Sequence, residues 1–176
     1  MFLHERPYRF DALVRIAKRL SSSDYWKLVS GVWTDSENIR QRFAAWKRLW
    51  TAPVPDKDQC MDAAERTQLE QIPLTFDVWR GIGFRGRAGL SWTIDRDIAV
   101  RFAYRFSATH ARLLHGHVRR EDVHAFFIGR KESEIVASEV KVFKVEKLPA
   151  PLSEAQRTKK RVGAITASTG QRRRPQ

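Results

Sequence analysis

The hydrophobic period of this 176-residue chain changes once, at Pro73, and that change limits it to helices first and a sheet afterwards. Before Pro73 the apolar side chains recur three and four apart, the spacing of one helix face. Phe10, Leu13, Val14, Ala17 and Leu20 predict a helix from Tyr8 to Leu20. Ser21, Ser22, Ser23 and Asp24 break it and can cap a second helix carrying Tyr25, Trp26, Leu28 and Val29. Thr34 followed by Glu37 has the form of a capping box. It predicts a third helix with Ile39, Phe43, Trp46, Leu49 and Trp50 on its apolar face. Pro53 and Pro55 end that helix, since proline cannot extend the hydrogen-bond ladder. A short fourth helix is expected from Met61 to Glu70. The tryptophans at 26, 33, 46 and 50 sit on helical faces and read as core.

Beyond Pro73 the period falls to two. LTFDVWRG alternates apolar and polar side chains and reads as a strand. Gly81, Gly83, Gly86 and Gly89 read as a turn leading to a short strand, LSWT. Asp95 opens a helix with Ile98, Ala99, Phe102, Ala103 and Phe106 on one side. ARLLHGHV and DVHAFFIG are further strands, and SEIVASEVKVFKVEKL reads as one last extended segment. Helices followed by a mainly β half with one inserted helix predict an α+β fold, not alternating βαβ units. Three parts are expected: a helical region over 1–70, a β-rich core over 71–148 and a basic tail over 149–176.

Charge is unevenly spread. The chain carries 33 Lys and Arg against 20 Asp and Glu, a net of +13. Residues 1–70 hold a net of +2, residues 71–150 a net of +5, and residues 151–176 a net of +6. The last stretch lacks aromatics and any sustained period, so it reads as a flexible tail. Its charge suits either a solubilising terminus or an electrostatic arm for nucleic acid. No apolar run approaches the ~20 residues of a membrane helix. The start, MFLHERPYRF, has no apolar signal core, so a cytoplasmic, membrane-free chain is the expectation. One cysteine, Cys60, excludes an internal disulfide and a cysteine-built zinc site.

Three local patterns are weak on inspection. Gly81-Ile82-Gly83-Phe84-Arg85-Gly86 matches GxGxxG, yet a dinucleotide fingerprint requires a helix to start inside the motif. Here a strand follows, so the Rossmann reading is rejected. His115 and His117 share one face of a strand but lack a clear third ligand, so they read as strand histidines and no metal is expected. Cys60 has no positioned base and is not a nucleophile candidate.

A fourth pattern carries more. Arg80 ends one strand, Ser91 and Thr93 flank Trp92 on the next, and Glu132-Ser133-Glu134 opens the final β segment. This ordered set resembles the R–S–E arrangement of the ADP-ribosyltransferase superfamily, with an ExE motif. GLSWTIDRDIAVRFAYRF is similar to a strand–helix segment of phage and bacterial toxin-like members. The likeness covers about residues 72–148, and it departs where members often read Ser-Thr-Ser and this chain reads Ser91-Trp92-Thr93.

The resemblance implies a split β-sandwich with the helical region packed on it. It implies NAD as co-substrate, no metal, and Glu134 as the catalytic carboxylate with Glu132 as the upstream acid. Arg80 would contact NAD through its planar fork and the Ser91 strand would support the site. The Gly81 backbone would meet the nicotinamide amide, while Thr93 presents a second hydroxyl on the Ser91 face. Trp92, Phe102 or Phe106 would supply an aromatic wall, each being equally suited to the core. Glu132 and Glu134, two apart on an extended chain, would face one side. An ExE motif is associated in the family with protein arginine, whereas the positive excess favours RNA or single-stranded DNA as acceptor. An antitoxin-type inhibitor is a further partner consistent with a phage-defence toxin. The alternative is a catalytically inactive, basic nucleic-acid-binding module or a phage accessory protein.

Overall fold

A computed structural model describes residues 6–36, 39–84, 86–107, 109–129 and 132–150. The basic stretch 151–176, where most of the expected tail falls, lies outside the described residues, as does Glu37. The architecture is α+β, with five α-helices and one six-stranded antiparallel sheet among the described residues.

Four helices precede the sheet: α1 (Arg6–Ile16), α2 (Ser22–Thr34), α3 (Phe43–Trp50) and α4 (Ala63–Gln71). Ser21 caps α2 through its hydroxyl, which accepts from Asp24 N at 3.1 Å. Asp62 and Glu65 close a reciprocal capping box on α4, satisfying two amide donors left over at the helix start. Thr34 opens no third helix. It ends α2, and its hydroxyl donates back to the Ser30 and Gly31 carbonyls, which is the local bond that competes with a capping role. A 3-10 turn over Ile39–Arg42 leads into α3 instead.

The tryptophans meet as expected. Trp26, Trp33, Trp46 and Trp50 are all buried, and Trp33 meets Trp46 edge-on at 5.0 Å and Trp50 edge-on at 5.6 Å. Such tilted pairs match ring edges to ring faces. Leu90, Ala125, Phe127 and Val136, all from the β half, complete this cluster, so the helical region and the sheet share a core.

The strands are β1 (Thr75–Ile82), β2 (Ser91–Thr93), β3 (Arg112–Arg119), β4 (Val123–Phe127), β5 (Glu134–Ala137) and β6 (Lys141–Lys147). They lie in the order β4-β5-β2-β1-β3-β6. The segment expected as one extended run is two strands. β5 is buried along its length between β4 and β2, whereas exposed β6 pairs with β3 at the far edge. Gly81 lies inside β1, paired with Leu113, and is not part of the turn.

The sheet has a weak seam. β1 and β3 pair over eight residues, but β1 and β2 register only at Trp79 opposite Thr93. Helix α5 (Arg96–Phe106), capped by Asp95, covers β1 and β3 and buries Ile98, Ala99 and Ala103. Its approach is so close that a Cβ on Gly81 would overlap Ala99 O and Ala103 N. Phe106 departs from the expected buried side: it is 61% exposed and stacks on Phe102 at 6.3 Å. Being at the last position of α5, it has run past the sheet that the helix covers.

Candidate active site

Arg80, Ser91 and Glu134 lie on β1, β2 and β5, which are neighbours in the sheet. Arg80 Nη1 donates to the Ser91 carbonyl, so one arm of the guanidinium ties β1 to β2 at the seam. Arg80 Nε is buried and makes no hydrogen bond among the described residues. Gly89 packs flat against this group; a Cβ there would come 2.8 Å from Nη2 and 2.9 Å from Cζ. A side chain there would displace the guanidinium, the flexible end of Arg80.

Burial pulls the Arg80 pKa down to about 10, the Glu134 carboxylate acts in the opposite direction, and the Arg40 cation adds to the fall. Arg80 therefore stays protonated at neutral pH. Glu134 is 5% exposed and accepts from Trp33 Nε1 at 3.3 Å. Trp33 belongs to α2, so the helical region holds the carboxylate from outside the β half. Sequence reading placed Trp33 in the core and missed this contact; a tryptophan on an apolar face carries no local sign of where its indole N–H will point.

Glu132 does not share a strand with Glu134. Ser133 between them has φ 44°, so the chain turns there and the alternation argument fails. A left-handed backbone at a residue other than glycine needs support from its surroundings. Thr93 Oγ1 donates to Glu132 O at 2.7 Å, and Ile94 N donates to Ser133 O at 3.3 Å. Thr93 Oγ1 also accepts from Asp95 N at 3.0 Å. The Thr93 hydroxyl is thus a latch joining β2, the start of α5 and the Glu132 loop, already occupied on both sides. The Ser91 hydroxyl makes no hydrogen bond among the described residues.

Other expected roles shift. Trp92 is 3% exposed, packs with Ile135 and Val78, and donates Nε1 to Gly89 O at 2.8 Å. It is core and lines no open wall. Gly81 is needed for the approach of α5, a packing reason that requires no ligand. Cys60 is buried, which pushes its thiol up to about 12, so it carries no thiolate at neutral pH. His124, stacked on Trp50, is pulled down to about 4, chiefly by burial, and is neutral at neutral pH. No group of His, Cys, Asp and Glu suited to a metal occurs among the described residues. No helix among them is long and apolar enough to cross a membrane. A shallow depression of about 460 Å³ lies between α4 and the sheet, lined by Gln68, Gln71, Ile72, Pro73, Ile94 and Phe126. None of the Arg80, Ser91 or Glu134 side chains borders it.

No family model matches this sequence, and neither the curated proteins nor the solved structures give a match to it. The arrangement itself therefore carries the functional reading. It sets a buried carboxylate beside a buried guanidinium across a weakly joined seam. In so dry a setting a carboxylate acts strongly on any positive charge that develops near it.

Proposed function

We propose that this chain is a NAD-dependent ADP-ribosyltransferase of the R–S–E type, built as a split β-sandwich, which moves ADP-ribose to a macromolecular acceptor. The supporting observation is the adjacency of β1, β2 and β5, with the Arg80 guanidinium bonded to Ser91 O and under the influence of Glu134. Three separate sequence segments had to converge for that to occur. The single register pair between β1 and β2 supports the split.

Arg80 Nε, buried and without a hydrogen bond among the described residues, is a donor that suits an anionic oxygen of the dinucleotide. NAD supplies a neutral nicotinamide leaving group, so its departure needs no general acid. Glu134 opposes the positive charge that grows on the ribose. Glu132, in the loop before β5, orients the acceptor and takes its proton. Nucleic acid is slightly favoured over protein arginine as acceptor, because the sequence over residues 71–150 carries a net of +5 within a chain of +13.

One observation favours a second reading. Arg80 Nη1 is spent on Ser91 O, which suits a module that keeps the fold and binds nucleic acid without turnover. Incubation with NAD labelled in its adenylate half, alongside RNA, single-stranded DNA and protein in parallel, separates the two. Label is expected in at least one acceptor, RNA before protein, with matching nicotinamide release. No label in any of the three and no nicotinamide released would leave the binding module. Arg80→Lys keeps the charge and loses Nε and the fork. NAD affinity is expected to fall by about 1–3 kcal/mol, the range of charged hydrogen bonds. An unchanged calorimetric isotherm would remove Arg80 from the site.

A further inference from the structure

On β1, Val78 and Arg80 point to one face of the sheet and Asp77 and Trp79 to the other. That second face, where α5 ends its cover, carries half-buried Trp79 and His115 beside exposed Phe143, His117 and two lysines. Register builds it in cross-strand rows: Trp79 opposite His115 opposite Lys144, and Asp77 opposite His117 opposite Lys141. A bulge in the β3–β6 pairing between His115 and Gly116 admits Phe143 between the rows. Its ring lies 4.4 Å from both imidazoles, and Trp79 stacks on His115 at 4.8 Å and 16°. Phe143 is 53% exposed.

The charges on this face are complementary to an anion. Lys141 and Lys144 are exposed and make no ion pair among the described residues. The acid in these rows, Asp77, is bracketed by His115 Nε2 at 2.9 Å and His117 Nδ1 at 2.5 Å. Partial burial raises the Asp77 pKa, but the hydrogen bond from His115 and the imidazoles' charge outweigh it and hold the carboxyl below its usual range.

We infer that the Trp79–His115–Phe143 face, with Lys141 and Lys144, is a binding platform for single-stranded nucleic acid. Every base has a π-face, so exposed rings accept unpaired bases whatever their sequence, while lysines meet the backbone. A duplex hides its bases and offers phosphates alone. The platform binds by ring stacking and lysine–phosphate contact alone, so it does not depend on the proposed transfer reaction and would serve an inactive module equally.

The test uses the full chain and a 12-nucleotide oligo(dT) carrying 5-iodouracil. Photo-cross-links are expected on peptides holding Trp79, His115 or Phe143. Cross-links confined to residues 151–176 would overturn the platform. By fluorescence anisotropy, Lys141→Glu with Lys144→Glu should weaken binding at least 10-fold and flatten the salt slope by about 1.4, at ~0.7 per single-strand phosphate contact. Phe143→Ala, at an exposed position, should weaken binding about 5- to 150-fold with the slope unchanged, the range of one lost base stack. Affinities within twofold of the parent in both variants would sink the proposal. So would a loss from Phe143→Ala that is as large for polyglutamate or phosphatidylserine vesicles as for the oligonucleotide.

Discussion

Glu134→Gln is expected to lower nicotinamide release and label transfer roughly 100- to 1,000-fold, the cost of removing one preorganised charge-stabilising group. The substitution keeps shape, and the Gln amide oxygen can still accept from Trp33 Nε1 where Glu134 Oε1 now does at 3.3 Å. What goes is the negative charge. Arg80 then loses the group that offsets its own burial, so some stability goes too. Rates must therefore be normalised to the folded fraction, read from near-ultraviolet dichroism of the tryptophan cluster. Glu132→Gln is the internal comparison. Its side chain belongs to the loop before the turn at Ser133, so it should slow transfer to the acceptor and spare release of nicotinamide to water. Nicotinamide release by Glu134→Gln within threefold of the parent would remove Glu134 from the chemistry.

What the sequence made legible is what local rules control. LTFDVWRG and LSWT formed strands, Asp95 capped the helix after them, and the four tryptophans went to the core. What it hid depends on distant partners. Between Ala137 and Lys141 there is no Gly or Pro to signal a break, yet β5 and β6 part there for opposite regions of the sheet. The cue was composition: after Glu134, β5 reads Ile-Val-Ala and is wholly apolar, whereas KVFKVEK carries the lysines typical of a guarded edge. The turn at Ser133 was illegible for the same reason, since its support comes from Thr93 and Ile94. The order Arg80, Ser91, Glu134 was visible; the indole of Trp33 reaching Glu134 was not.

Gly81 separates a packing role from a ligand role, and Gly81→Ala decides between them. The added Cβ would overlap Ala99 O and Ala103 N and lie 2.9 Å from Ala103 Cα, all backbone atoms of a helix that cannot swing aside as a side chain would. Relief requires α5 to lift from β1, loosening the cluster of Ala99, Ala103, Ala111, Leu113 and Leu148. Overpacking ordinarily costs 1–3 kcal/mol, and a clash with rigid backbone belongs at or above the upper end, about 3 kcal/mol. For a domain of this size that lowers Tm by roughly 6–12 °C. Gly129→Ala is the control, because a Cβ there meets nothing within 4 Å, and its Tm should move by no more than about 2 °C, as for other surface changes. If Gly81→Ala instead melts with the parent and loses only NAD affinity, the missing side chain serves the dinucleotide. A large fall in Tm means that it serves α5, and that this helix is what sets β1, and Arg80 with it, against the seam.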